Sequence, residues 1–234
     1  MEQNYYHLCD NQFDAKFDKI ELLERYPWVG INYDNSNCRV LILGDSHYAT
    51  EENGRFSQEE YDNFKYNKDS TRGIIRNVIG DFNSGKPTWK MYDGLLKTFI
   101  ATSPENVKEF WSKVAFYNFI QEPMKSCDEK PQNGQIENGW RCLVDVANVI
   151  HPTFIVMFGI RNWFGMEQLG IGELEWENRI VNRCKPAIGK IYCHDANIPL
   201  AIIKHSARYY SPSIWHDYLQ EKAPEVMSFF VSEN

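Results

Sequence analysis

Apolar and polar positions follow two rhythms along this chain, and the points where the rhythm changes mark its elements. Short apolar runs rich in β-branched and aromatic residues occur at 39–43, 113–118, 153–158, 190–193 and 200–204. Runs of this length, bounded by glycine or polar residues, predict buried strands. The first ends at Gly44 and the third at Gly159. Between the strands apolar residues return every three or four positions, which predicts helices over 18–25, within the polar stretch 51–70, and over 71–79, 91–100 and 138–150. Ser103-Pro104-Glu105 carries the N-cap serine, N1 proline and first-turn acid of another helix. Ser211-Pro212 opens a last one reaching residue 222, with Ser211 as its N-cap. Residues 127–139 are polar and punctuated by Gly and Pro, hence a loop. Strands alternating with helices predict a three-layer α/β/α architecture around a central, mostly parallel sheet, with the polar strand ends collected on one rim.

Composition narrows the class. No repeat, low-complexity tract or long linker divides the 234 residues, so 1–234 read as a single domain, with 1–38 a helical and irregular extension packed on it. Hydrophobic content of 43% with 24% charged residues is that of a globular chain, which sets disorder aside. A formal charge of −7 argues against a broad basic surface for duplex nucleic acid but leaves room for a local basic strip. Six scattered cysteines without a CxxC pair read as reduced thiols of a cytoplasmic protein, not as a disulfide framework or zinc site. The histidines form no HxxxH or HxH pair, and adjacent residues such as Cys193-His194-Asp195 point alternate ways on a strand, so no metal is expected. No apolar stretch has the length of a membrane span or of a signal-peptide core, so no membrane partner is expected. Nothing in the pattern speaks to oligomeric state.

Three strand ends hold the candidate chemistry: Gly44-Asp45-Ser46-His47-Tyr48, Phe116-Tyr117-Asn118-Phe119, and Lys204-His205-Ser206-Ala207-Arg208. Ligands of open α/β sheets bind at the carboxyl ends of the strands. A carboxylate, an amide and an imidazole gathered there can orient water, read the edge of a ligand and steady negative charge. Each also has a purely structural use: Asp45 as a helix cap, Asn118 and His205 as partners for local backbone. Aromatics make up 15% of the chain; they fill cores, and they also line clefts that stack flat ligands, with Phe56, Phe64, Phe116 and Phe119 as candidates.

The ordered motifs GDSHY, FWSKVAFYNFIQ, IHPTFIVMFGIRNW and IPLAIIKHSARYYSPSIW resemble the uracil-DNA glycosylase superfamily over residues 39–219. The likeness is nearest to bacterial members whose first motif reads Gly-acid-Ser-His-Tyr. It implies a uracil-DNA glycosylase-like α/β fold that hydrolyses the N-glycosidic bond of uracil or another damaged base in DNA, without a cofactor. By this resemblance Gly44 matches the motif glycine, and Asp45 the water-activating acid of some branches. Ser46 and His47 complete the first motif, and Tyr48 matches an aromatic wall of the base pocket. Asn118 matches the asparagine that hydrogen-bonds the base, and His205-Ser206 the late motif whose histidine steadies the departing base. Lys204 and Arg208 flank that motif and suit phosphates. Two departures stand out: Ser46 occupies the place where the best-known branch carries its catalytic Asp, and the late motif lacks its proline. The same fold without cleavage would bind a free nucleotide or nucleic acid, including single-stranded DNA. A third reading takes Gly44-Asp45-Ser46 as the start of a GDS-type esterase with Ser46 as nucleophile, although the late Asp-x-x-His of such enzymes is absent.

Overall fold

A computed structural model describes residues 5–51, 54–159, 165–207 and 209–231. Its centre is a seven-stranded mixed sheet in the order β1-β3-β2-β4-β7-β6-β5. The strands are β1 (Trp28–Val29), β2 (Val40–Tyr48), β3 (Ala115–Met124), β4 (Phe154–Phe158), β5 (Gly172–Trp176), β6 (Ala187–Tyr192) and β7 (Asn197–Ile203). The four central strands β3, β2, β4 and β7 are parallel, whereas β1, β6 and β5 run antiparallel to their neighbours. The expected parallel sheet is therefore its middle, and its two edges are antiparallel. The β6–β7 pairing follows from chain economy. Antiparallel neighbours need only a tight connection, and β6 turns into β7 through a backbone bond from Cys193 to Ala196.

Helices cover both faces, as the sequence pattern predicts. They are α1 (Asp14–Phe17), α2 (Gln58–Tyr66), α3 (Ser70–Ser84), α4 (Lys90–Phe99), α5 (Pro104–Lys113), α6 (Asn133–Ile150), α7 (Pro212–Lys222) and α8 (Pro224–Val231). Side chains of a strand alternate between faces, and β2 shows how this divides the interior. Val40 and Ile42 join a cluster with Ile75 of α3, Leu95 of α4, Trp111 of α5 and Trp215 of α7. Leu41 and Leu43 join the opposite cluster with Trp140 and Val146 of α6 and Phe13, Phe17, Ile20 and Leu23 of the N-terminal segment. Buried apolar area stabilises by roughly 25 cal/mol per Å², so these two layers hold the sheet between them.

Four expectations change. Residues 39–43 are only the first half of β2, which continues through Gly44-Asp45-Ser46-His47 to Tyr48. Polarity does not end a strand whose backbone is still paired: Gly44 pairs with Asn118 and Ser46 with Ile120, and the register slips only between Ser46 and Tyr48. Asn118 likewise lies within β3 and does not close it. The expected helix over 18–25 is replaced by the single turn of α1 just before it. The backbone N–H groups of Glu24 and Arg25 donate to Gln121 Oε1 of β3, which satisfies them without a helix. Finally, α6 starts at Asn133, inside the expected loop. Gln132 and Gln135 close a reciprocal capping box there, with the Gln132 N–H donating to Gln135 Oε1 at 2.8 Å. Gly139, which reads as a breaker, is where α6 presses on β3: a Cβ would lie 2.9 Å from the Phe119 carbonyl oxygen. Ser103 behaves as expected, accepting from the Asn106 N–H at 3.2 Å to start α5.

Candidate functional site

A cleft of about 1150 Å³ opens where β2, β3 and β7 deliver their polar residues, between α2 and the start of α4. It brings together Asp45, Ser46, His47 and Tyr48 of β2, Asn118 of β3, and Lys204 and His205 just past β7. Because β2 and β3 run on beyond Gly44 and Asn118, these groups form a floor sunk in the sheet and not a loop above it. Asp45 is 4% exposed and Asn118 3%.

Gly44 is not part of the lining; it makes room for what is. A Cβ at Gly44 would overlap Asn118 Oδ1 and touch the Phe116 ring at 3.0 Å. The Asn118 amide lies across that space, buried, with its Oδ1 lacking a hydrogen-bond partner. A buried carbonyl oxygen without a donor costs about 1–3 kcal/mol. Beside it the Tyr48 hydroxyl donates to Asp45 Oδ2 at 2.9 Å and fixes the carboxyl plane.

The two histidines have different jobs. His205 Nδ1 accepts the Ala207 N–H at 3.2 Å, so its neutral ring carries the proton on Nε2. His47 is fully packed: its Nε2 meets Thr71 Oγ1 at 3.0 Å, and its ring stacks on Phe64 with centroids 4.8 Å apart. Burial, with Arg25 nearby, pushes its pKa down to about 3. His47 is thus a neutral pillar under the cleft wall.

Of the remaining expected site residues, Ser206 turns away and donates to the Met91 carbonyl at 2.8 Å, which ties the end of β7 to α4. Lys204 lines the cleft, yet its ammonium donates to the carbonyls of Asn182 and Tyr209, at 3.2 and 2.8 Å. Arg208 lies outside the described residues. Among the stacking candidates, Phe116 and Phe119 are buried in opposite cores, Phe56 stands off the lining, and Phe64 is occupied by His47. Beside Tyr48, which lines the cleft, further aromatic surface comes from residues that the sequence pattern does not single out. Trp89, 55% exposed at the N-cap of α4, lies next to Tyr92 with ring centroids 5.9 Å apart. Its signal was a lone Trp after Lys86-Pro87-Thr88, at the mouth of an amphipathic helix. The polar stretch after the first motif does cover the strand ends, as expected: Glu51, Ser57, Glu59, Glu60 and Phe64 form one wall.

Among the described residues no group of three or more His, Cys, Asp or Glu side chains is placed to hold a metal ion, and no helix is long and apolar enough to cross a membrane. All six cysteines are free thiols. The chain, compared with protein-family models and with curated proteins, matches none of them.

Proposed function

We propose that this cleft holds a single nucleobase and that the protein hydrolyses the N-glycosidic bond between that base and its sugar. The observation that carries the reading is Asn118, a buried amide whose oxygen waits for a donor on the floor of a cleft shared with Asp45 and His205. A planar base with ring N–H and carbonyl groups presents the complementary edge. Trp89 offers a face for stacking, worth about 1–3 kcal/mol per base.

The chemistry follows from the positions. The C1′–N bond breaks, and its electron pair leaves on the base nitrogen. His205, with its proton on Nε2, donates toward the base as charge accumulates there. Asp45, oriented by Tyr48, faces the electron-poor sugar and aligns water. The water oxygen bonds C1′ and its proton passes to Asp45. The resemblance to uracil-DNA glycosylases supports the same assignment, with uracil or another damaged base as the leaving group.

Base release from deoxyuridine, deoxyinosine and deoxyxanthosine, free and in oligonucleotides, tests the proposal. Asp45→Asn keeps the shape and removes the water-aligning charge, so kcat falls about 100-fold or more while binding of the base persists. Unchanged turnover in Asp45→Asn removes that role. Binding without release in the unaltered protein makes the cleft a nucleobase-binding module.

A further inference from the structure

We infer that the base reaches this cleft on a free nucleoside and not on a phosphate-bearing strand, an inference that rests on the nucleobase reading above. Charge around the cleft is predominantly negative. Asp45, Glu51, Glu59, Glu60 and Asp128 line the cleft, and among the described lining residues Lys204 is the one lysine or arginine, beside the two histidines. Its ammonium is committed to two backbone carbonyls, as already described. A nucleic-acid cleft does the opposite: it neutralises phosphates with Lys and Arg, and its affinity comes largely from the counterions so released.

The start of α2 carries the same sense. A helix N-terminus binds anions when its N–H groups are open. Here Ser57 Oγ already accepts the Glu60 N–H, and Glu59 and Glu60 stand in the first turn. Their charges offset the positive end of the helix on the wall a sugar-phosphate would have to pass. The acidic wall alone would mark no site. It surrounds one because the buried Asn118 oxygen on the floor lacks a partner and points to a hydrogen-bonding occupant. Together the two features admit a flat, uncharged, polar molecule and oppose each phosphate attached to it.

The test compares three carriers of one base: nucleoside, nucleoside 5′-monophosphate and a short single-stranded oligonucleotide, for uracil, hypoxanthine and xanthine. Base release is followed by chromatography and binding by calorimetry. The nucleoside is expected to give the highest kcat/KM, with a loss of about tenfold on adding the phosphate. Salt should raise the monophosphate rate by screening repulsion, where a phosphate-gripping cleft would lose affinity with salt. The double substitution Glu59→Gln/Glu60→Gln, at surface positions that Gln fills without new packing, should narrow the gap between nucleoside and monophosphate. An oligonucleotide that is cleaved as well as the nucleoside, with rates falling in salt, overturns the inference and leaves the hydrolase reading standing. Nucleoside binding without release overturns the hydrolase and keeps the inference. No binding of any carrier by folded protein overturns both.

Discussion

At the scale of single residues the cleft depends on a position that does not line it. Gly44 is absent from the cleft lining, yet its missing Cβ is the space into which the Asn118 amide lies. Gly44→Ala therefore acts on recognition before it acts on the fold. The new methyl displaces a short side chain and presses on Phe116, a cost of about 1–3 kcal/mol for an overfilled interior. On the nucleobase reading proposed above, the displaced amide no longer presents its oxygen to a base. The expected outcome is a thermal midpoint lowered by a few degrees, with KM for the preferred nucleoside raised about tenfold or more and a smaller change in kcat. Kinetics on the folded variant check this split. A loss confined to kcat would place Asn118 in the chemistry and not in binding. The reason for Gly44 was only partly legible in the sequence. A glycine after an apolar run reads as a turn, and the cross-strand pairing that makes it a notch is not written locally.

Among elements, the joint of β2 with α2 and α3 decides how rigid the cleft wall is. His47 reaches from the strand to Thr71 of α3 and stacks on Phe64 of α2, and the Arg25 guanidinium donates to the Phe64 carbonyl on the same helix. His47 must stay neutral to fill this place. Its folded pKa of about 3 lies below the ordinary value of 6.5, so the unfolded chain takes up a proton in that window and the native one does not. Stability contributed by the neutral ring is then complete above about pH 6.5 and drains away as pH falls toward about 3. The full window corresponds to an effect on the order of 4–5 kcal/mol. His47→Gln keeps a polar group for Thr71 and cannot titrate. Urea unfolding at neutral pH should find it about 1–2 kcal/mol less stable than the parent, and the difference should shrink or reverse near pH 4. Parallel pH profiles for the two proteins would mean that His47 titrates normally. Elements of this kind show what a pattern can carry. Ser103-Pro104-Glu105 names the start of α5 because capping is local chemistry. The extent of β2 and β3 is hidden, because it is cross-strand pairing, Gly44 with Asn118 and Ser46 with Ile120, that keeps these polar stretches in strands. Strand β5 escapes notice because its alternate residues face solvent, so it lacks a continuous apolar run.

For the whole molecule the question is whether residues 1–38 are an appendage or part of the domain. The described portion joins both interior layers: Tyr5, Cys9 and Trp28 enter one, and Phe13, Phe17, Ile20, Leu23, Val29 and Tyr33 the other. Trp28 and Val29 form β1 and cover the outer edge of β3, the strand that carries Asn118. Asp14 pairs with the buried guanidinium of Arg72 at 2.6 Å, which locks this segment to α3. A polar, aromatic N-terminus reads as an extension packed on the domain because its apolar residues are too widely spaced to announce an element; they are spaced to reach two different layers. Removing residues 1–38 would expose a bare sheet edge and leave Arg72 with only the longer of its two carboxylate contacts, Asp69 at 3.3 Å. Each large apolar side chain lost is worth about 1.5 kcal/mol or more, and together they match the roughly 5–15 kcal/mol that holds a domain folded. The truncated chain should lose its near-ultraviolet circular dichroism and its cooperative melting transition, while the full chain melts in one step seen alike by fluorescence and circular dichroism. A truncated protein that still melts cooperatively would confine the folding unit to residues 39–234. The cleft would then owe nothing to Arg25, whose bond to Phe64 it had lost, and base binding by that shortened chain would measure how much the α2 wall depends on it.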